Sequence, residues 1–291
     1  MTSAAITDRA CAAVRRAADL LARADALLIT AGAGMSVDSG LPDFRSAQGL
    51  WRAYPPLAKL GLSFEQMAQP RWFASKPEMA WAWYGHRQQL YRTATPHDGY
   101  RMLRDWAQSM RAGAFVVTSN VDGQFLAAGF SERSLLECHG SVHRYQCTVP
   151  CGERIWDAGA PAFAIDLDSL QASGELPRCP DCGALARPNV LMFNDGAWVD
   201  VVAREQEQRF DEWLAGVRGR RVVVIECGAG TAIATMRRLG ERLAERSLAT
   251  LVRINPAAEE GDKTALVLQL PALQALTLID EARASGRGGL T

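Results

Sequence analysis

The feature that most constrains the fold is a short apolar run near the start of the chain that leads directly into a glycine-containing turn. Residues 26–29 have the length and apolar character of a buried parallel strand, and Gly32 and Gly34 follow closely. In doubly wound sheets such a turn lets the backbone approach a phosphate, because glycine has no side chain and tolerates positive φ. Ser36 and Ser39 are predicted to cap the helix that begins here. The pattern predicts an α/β fold with a Rossmann-like, doubly wound parallel sheet.

Further short apolar runs recur along the chain, and each leads into a polar or glycine-containing segment. Residues 114–118, 221–225 and 251–255 are predicted strands, and another run begins at residue 135. Ligands bind beyond the carboxyl ends of the strands in doubly wound sheets, so the polar residues after 114–118 are candidate site residues. Residues 8–24 have the apolar periodicity of a helix that packs on the sheet.

Four of the seven cysteines form two close pairs, which favours a metal site over disulfides. Cys147 and Cys151 make one pair, and Cys179 and Cys182 make the other. Together they can supply four thiolates to one tetrahedral Zn²⁺ with no open coordination position, which predicts a structural site. Residues 152–178 are polar with little periodicity, so we expect the metal rather than a core to hold this module. The remaining cysteines are interpreted as small apolar core residues: Cys11, Cys138 and Cys227.

The composition narrows the class of protein. The chain has 291 residues and a formal net charge of zero, from 32 basic and 32 acidic side chains, so nothing indicates a nucleic-acid-binding surface. No apolar run approaches the length of a membrane span, and the N-terminus lacks the pattern of a signal peptide. We therefore expect a cytoplasmic protein that acts neither on nucleic acid nor in a membrane; its oligomeric state is left open.

The segment between the first two predicted strands is rich in tryptophan. Residues 51–108 are divided by prolines into several short stretches, which predicts a helical insertion. Tyr84 and Arg87 are three residues apart on a predicted helix at 79–91, so their side chains share one face. A phenol and a guanidinium at this spacing can bind a carboxylate together, and the alternative is an ordinary solvated helix face.

Residues 32–46, Gly-Ala-Gly-Met-Ser-Val-Asp-Ser-Gly-Leu-Pro-Asp-Phe-Arg-Ser, closely resemble the signature of the sirtuins, which are NAD-dependent protein-lysine deacylases. The resemblance implies that the loop carrying Phe44 and Arg45 closes over the nicotinamide half of NAD and that Asp43 contacts the nicotinamide amide. The loop after strand 221–225 corresponds to the family's Gly-Thr-Ser-Leu segment. The NAD-binding residues implied by the resemblance are Gly32, Ala33, Gly34, Ser36, Asp43, Phe44, Arg45, Ser119, Gly228, Gly230, Thr231 and Asn255.

Two later segments resemble the catalytic segments of the same family. Ser-Asn-Val-Asp-Gly-Gln-Phe, beginning at Ser119, is similar to Gln-Asn-Val-Asp-Gly-Leu-His, which implies that Asn120 and Asp122 shape the nicotinamide pocket and orient the reacting ribose. Ser119 and Phe125 depart from that pattern. Glu-Cys-His-Gly-Ser resembles the segment that carries the general base, which implies that role for His139. His143 has no family match and is expected on the surface.

The expected substrate contacts also come from resemblance. Arg-Pro-Asn-Val-Leu-Met-Phe-Asn-Asp, residues 187–195, is similar to the family segment that pairs with the substrate backbone, so Val190 and Phe193 are expected to flank the acyl-lysine channel. Asn194 and Asp195 replace the family's glycine and glutamate. The Tyr84 and Arg87 spacing resembles that of sirtuins that prefer succinyl and malonyl groups, in which the pair holds the distal carboxylate of the acyl chain.

We therefore expect an NAD-dependent protein-lysine deacylase, a deacetylase or desuccinylase, that takes an acylated-lysine protein or peptide and carries structural zinc. An ADP-ribosyltransferase or NAD glycohydrolase is the alternative, and a non-catalytic NAD-binding protein is a third reading. The expected organisation is a Rossmann-like domain of residues 1–50, 109–145 and 186–285, a smaller domain of the helical insertion 51–108 and a zinc ribbon 146–185, and a flexible tail 286–291.

Overall fold

The computed structural model describes residues 8–42, 47–149, 151–160, 162–231, 234–245, 249–258 and 263–287. The helices are α1 (Asp8–Arg23), α2 (Ala47–Ala53), α3 (Pro55–Lys59), α4 (Phe64–Met67), α5 (Arg71–Ser75), α6 (Pro77–Thr93), α7 (Asp98–Gln108), α8 (Gln124–Ala127), α9 (Val201–Gly216), α10 (Thr235–Glu245) and α11 (Ala272–Arg287), with the 3₁₀ helices η1 (Ala33–Ser39) and η2 (Glu132–Ser134). The strands are β1 (Ala26–Ala31), β2 (Ala114–Thr118), β3 (Leu135–Glu137), β4 (Gly140–Cys147), β5 (Ile155–Asp157), β6 (Phe163–Asp166), β7 (Gln171–Gly174), β8 (Ala186–Val190), β9 (Val222–Cys227), β10 (Thr250–Ile254) and β11 (Ala265–Leu268).

The larger sheet has six parallel strands in the order β11-β10-β9-β1-β2-β3, which confirms the predicted fold class. Every residue of β1 and of β9 is buried, because apolar side chains from helices cover both faces. The chain leaves β1 toward β2 on one side and reaches β9 on the other side. The direction of winding therefore reverses between β1 and β9, where doubly wound proteins bind their ligands.

A second apolar core surrounds helix α6. Trp81 and Trp83 lie at its centre with no exposed surface, and the three-stranded sheet β5-β4-β8 and the hairpin β6-β7 pack nearby. Phe163 on the hairpin has its ring centroid 5.6 Å from that of Trp81. Gly85 makes this approach possible, because a Cβ there would lie 2.7 Å from the Phe163 ring. The expectation that the metal alone holds residues 152–178 was wrong, since a hydrophobic contact also anchors them.

Helix α7 changes the proposed domain division. Trp106 belongs to the core under the large sheet, and its Nε1 donates a hydrogen bond of 2.7 Å to Oδ1 of Asp280 on α11. We therefore propose that the helical insertion of the small domain ends before Asp98. Strand β8 also lies in the smaller sheet, because it pairs with β4. The other domain limits stay a proposal.

None of the described helices combines the length and the apolar character that a membrane crossing requires.

Candidate active site

Two glycine-containing loops meet at the reversal point of the large sheet. The Gly32 N–H donates to the Cys227 carbonyl at 3.0 Å, and the Gly34 N–H donates to the Gly228 carbonyl at 3.1 Å. A Cβ on Gly32 or on Gly34 would lie 2.7 Å from backbone atoms of Gly228. Gly228 has a φ of 61°, whereas Gly32 and Gly34 do not adopt positive φ. The first two glycines are therefore required by the contact between the loops, and not by positive φ as the sequence analysis allowed.

We predict that Gly228→Ala destabilises the protein by about 1–3 kcal/mol or more. The new methyl group would occupy a left-handed conformation and would lie 2.3 Å from the Met35 nitrogen, so the two loops would have to separate. Urea unfolding measures the change in the free energy of unfolding. Gly230→Ala is the matched control in the same loop, because a Cβ there meets nothing within 4 Å. Equal stability of the two variants would contradict the prediction.

The serines after the first loop do not cap a helix. The segment that follows Gly32 is the 3₁₀ helix η1, and its N-terminus has no side-chain cap, so the predicted capping by Ser36 and Ser39 was wrong. The Ser39 Oγ instead accepts a hydrogen bond from the His97 N–H at 3.1 Å. The Ser36 Oγ donates to Oδ2 of Asp122 at 2.6 Å. Ser36 is therefore part of a polar network that joins the ends of two strands.

That network holds the polar tip of β2 against η1. The Asn120 Nδ2 donates to the Gly32 carbonyl at 3.0 Å and to the Ser36 Oγ at 3.2 Å. The hydroxyl of Tyr100, which has no exposed surface, lies 3.1 Å from the same Oγ. Burial raises the pKa of the Asp122 carboxyl, and the hydrogen bonds from Ser36 and the Gln124 N–H act in the opposite direction. Asn120 and Asp122 are thus fixed at the first glycine loop.

His139 follows β3, next to β2 in the sheet, and its side chain is partly exposed. Gly140 comes directly after it with a φ of 73°, and a Cβ there would lie 2.1 Å from the Asn189 carbonyl oxygen. The glycine lets the chain turn from the large sheet into β4 at this point. The buried carboxylate of Glu137 anchors the end of β3 through an ion pair with the partly exposed Arg144. The imidazole is thereby presented at the same edge of the sheet as Asn120 and Asp122.

His143 is half-buried, so its predicted surface position was wrong. Its Nε2 lies 2.9 Å from the main-chain oxygen of Asp122, and its ring covers Gly123. Burial lowers the pKa of His143, while the hydrogen bond to the Asp122 oxygen raises it. The side chain supports the loop that carries Asp122 from outside.

A cavity of about 340 Å³ lies between the sheet edge and helix α6. Its size is at the lower end of the usual range for small-molecule sites. It brings together these predicted residues: Ala33, Ser36, Tyr84, Arg87, Ser119, Asn120, Asp122, His139, Val190 and Phe193. Sequence reasoning missed these lining residues: Leu41, Pro42, Phe64, Ala68, Tyr91, Val121, Leu191, Met192 and Asn194. The spacing of Tyr91 could have identified it, because it lies one helical turn after Arg87 and therefore shares a helix face with it.

Other predicted NAD-binding residues lie outside this cavity. Gly230 and Thr231 are exposed at the second glycine loop. The Asn255 Nδ2 donates to the Ala229 carbonyl at 2.8 Å, so it supports that loop. The predicted residues Asp43, Phe44 and Arg45 lie outside the described residues.

The wall formed by α6 is buried rather than solvated. Tyr84 is 1% exposed and Arg87 is 5% exposed, which excludes the alternative of an ordinary solvated helix face. In the loop after β8, Asp195 makes a buried ion pair of 2.8 Å with Arg187 and accepts a hydrogen bond from the Met192 N–H. Asp195, a departure from the family pattern, therefore holds the loop after β8 in a defined shape. Phe125, another departure from the family pattern, packs in the core against Tyr100.

The two cysteine pairs come together as predicted. The four sulfur atoms lie within 4.8 Å of one another, and Sγ of Cys147 is 3.6 Å from Sγ of Cys182, as Sγ of Cys151 is from Sγ of Cys179. Four thiolates around a tetrahedral Zn²⁺ at the usual Zn–S distance are about 3.8 Å apart, so the cluster fits a closed zinc site. No cysteine of the cluster lines the cavity. The site is therefore structural.

A doubly wound sheet with paired glycine loops at its reversal point, a cavity beside them and a four-cysteine module define a nucleotide-binding α/β protein with structural zinc. A family model described as the Sir2 family matches residues 32–211, more than half of the chain. The chain belongs to the Sir2 family.

Individual relatives agree with this assignment. The chain is 32% identical over 176 residues to an NAD-dependent protein deacylase of Aquifex aeolicus, covering 60% of this chain and 64% of the relative. It is 34% identical over 243 residues to an NAD-dependent protein deacylase of Thermus thermophilus, covering 81% of each. The chain thus spans slightly less than two thirds of the Aquifex relative and more than two thirds of the Thermus relative. A solved structure of a Sir2 homologue in complex with NAD has a TM-score of 0.67 and 25% identity, covering 93% of this chain and 94% of that one.

Proposed function

We propose that the protein is an NAD-dependent protein-lysine deacylase with a preference for acyl groups that end in a carboxylate. One observation carries the proposal. A single cavity has His139, Asn120 and Asp122 on the sheet side and the buried pair Tyr84 and Arg87 on the α6 side. Membership of the Sir2 family and the names of the relatives support the deacylase class.

NAD would enter as a co-substrate at the reversal point of the sheet. The two glycine loops meet at this point, and doubly wound sheets bind the pyrophosphate of a dinucleotide beside such loops. The nicotinamide end would then lie toward Asn120 and Asp122, which the network through Ser36 holds in place. By the family resemblance, Asp43, Phe44 and Arg45 would complete the nicotinamide side.

The chain's residues would position two substrates and move one proton. The acyl-amide oxygen of the lysine substrate attacks the anomeric carbon of the nicotinamide ribose, and the carbon–nitrogen bond to nicotinamide breaks. His139 then accepts a proton from a ribose hydroxyl, so that this oxygen attacks the resulting O-alkylimidate. Addition of water and loss of the amine give lysine and O-acyl-ADP-ribose. The partly exposed His139 lies in the cavity where that proton would be released.

The buried guanidinium of Arg87 would select the acyl group. A cation at the inner end of an acyl channel stabilises a terminal carboxylate by a charge-assisted hydrogen bond, and the Tyr84 hydroxyl would add a second contact. Succinyl and malonyl groups carry such a carboxylate, whereas acetyl does not. The family resemblance of this pair supports the same choice.

We expect purified protein with NAD to release succinyl from a lysine peptide faster than acetyl from the matched peptide. Arg87→Met should lower kcat/KM for the succinyl peptide by about thirtyfold or more, because the carboxylate would lose its buried partner. Mass spectrometry of nicotinamide, O-acyl-ADP-ribose and peptide measures both reactions. Arg92→Met is the matched control, since Arg92 is exposed on the same helix and bonds to the main-chain oxygens of Ala158 and Gly159.

The products also separate the alternatives. Peptide or protein labelled with ADP-ribose would indicate a transferase, and free ADP-ribose without deacylation would indicate a glycohydrolase. NAD binding without nicotinamide release would indicate a non-catalytic protein. Equal rates on both peptides, unchanged in Arg87→Met, would leave the deacylase class standing and contradict the acyl preference.

A further inference from the structure

The guanidinium of Arg87 is oriented by a residue that no motif contains. Its Nε and Nη2 donate hydrogen bonds of 3.0 Å and 2.8 Å to one acceptor, the hydroxyl of Tyr91. Tyr91 lies four residues further along α6, is 7% exposed and also lines the cavity. Two bonds to one oxygen define the direction of the planar guanidinium, because its five N–H groups have a fixed geometry.

Aromatic rings complete the surroundings of this cation. The Cζ of Arg87 lies 4.8 Å from the ring centroid of Trp83, 5.7 Å from that of Tyr84 and 5.6 Å from that of Phe64. The Tyr91 ring is 5.4 Å away. Ring faces attract a cation but restrict its rotation weakly, whereas hydrogen bonds are directional. The Tyr91 hydroxyl is therefore the group among these four that sets which edge of the guanidinium faces the cavity.

The phenol partner distinguishes this arginine from two other buried arginines of the chain. Arg187 is oriented by Asp195, and Arg253 is oriented by Glu226. A carboxylate partner orients a guanidinium but also adds a negative charge, which repels an incoming anion. Tyr91 orients Arg87 without adding negative charge to the cavity. Its hydroxyl covers the Nε–Nη2 edge, so bidentate pairing with a substrate carboxylate is confined to the two Nη nitrogens.

We infer that Tyr91 is a positioning residue that sets acyl specificity: it fixes Arg87 so that the two Nη nitrogens receive the terminal carboxylate of a succinyl-type acyl group. The inference rests on the proposed function, because it assumes that Arg87 binds this carboxylate. Tyr91 acts through Arg87 and need not touch the reacting atoms.

The test compares Tyr91→Phe with the parent protein on matched succinyl-lysine and acetyl-lysine peptides. We expect KM for the succinyl peptide to rise about tenfold, with kcat and the acetyl reaction nearly unchanged, because only the orientation of the cation is lost. In an Arg87→Met background the same change should have no further effect on selectivity, since the residue acts through Arg87. Calorimetric binding of each peptide without NAD supplies a readout besides turnover.

Tyr145→Phe is the matched control for loss of a buried hydroxyl. Its Oη donates to the Gln88 side chain in the same core at 3.0 Å, and it does not line the cavity. If Arg87→Met removes the preference for the succinyl peptide, Tyr91→Phe decides the inference. Equal losses on both peptides in Tyr91→Phe, or no change on either peptide, would then overturn it. If Arg87→Met leaves succinyl binding and turnover unchanged, the proposed acyl preference fails, and the role of Tyr91 fails with it.

Discussion

Replacing His139 with alanine is expected to lower the rate of deacylation by at least about a hundredfold, the lower range for loss of a general base. The side chain is partly exposed and lies in the cavity, so little core packing is lost. The backbone around it is held by other groups. The main-chain oxygen of His139 accepts from the Leu191 N–H at 3.0 Å, and Gly140 makes the turn into β4. The variant should therefore fold and keep its zinc.

In the proposed reaction nicotinamide leaves before the base is needed. His139→Ala should therefore slow the exchange of labelled nicotinamide into NAD less than it slows deacylation. Rapid-quench measurements of both processes under single-turnover conditions separate the steps. His86→Asn is a matched control, because His86 bonds to the Tyr54 hydroxyl at 2.9 Å and lies outside the cavity lining. Near-normal deacylation by folded His139→Ala would refute the role of His139 as the base.

Five of the six strands of the large sheet were predictable because they are short, apolar and largely buried: β1, β2, β3, β9 and β10. Strand β11 is only partly buried and was not predicted. Residues 114–118 were predicted with the observed limits, and β1 extends two residues beyond the predicted run. The ends of these strands also predicted where Asn120, Asp122 and His139 would meet, since parallel strands bring their carboxyl ends to one edge.

The rest depends on contacts between distant segments, which a linear pattern does not contain. The need for glycine at position 32 comes from the approach of Gly228. Serine is a residue type that often caps helices, yet the Ser36 hydroxyl forms hydrogen bonds with the side chains of Asp122 and Tyr100. Residues 152–178 look polar because only alternate positions of a short hairpin face α6, and Leu170 is one of the residues buried there. Local sequence cannot show which partner takes each side chain.

Removing the zinc is expected to unfold the four-cysteine module while the rest of the fold persists. Structural zinc contributes on the order of 10–16 kcal/mol to the folding of small zinc modules, because no preformed site exists in the unfolded chain. Cys179→Ser removes one of the two buried ligands, so metal content should fall from one zinc per chain and Tm should fall by about 10 °C or more. Elemental analysis and calorimetry measure these changes. Cys11→Ser is the control, since Cys11 lies on α1, far from the cluster in sequence and outside it.

Hydrogen exchange along the four-cysteine module distinguishes its two anchors, which are the zinc site and the contact of Phe163 with Trp81. Phe163 packs against Trp81 independently of the metal, so the β6–β7 hairpin should keep its hydrogen-exchange protection after chelation. In the turn from Cys179 to Gly183, the Gly183 N–H donates to the Cys179 carbonyl, and residues 180–183 are exposed. This turn should therefore lose protection first. Since no cysteine of the cluster lines the cavity, Co²⁺ in place of Zn²⁺ should restore protection and leave kcat within about twofold. A large change in kcat with the substituted metal would contradict a purely structural role.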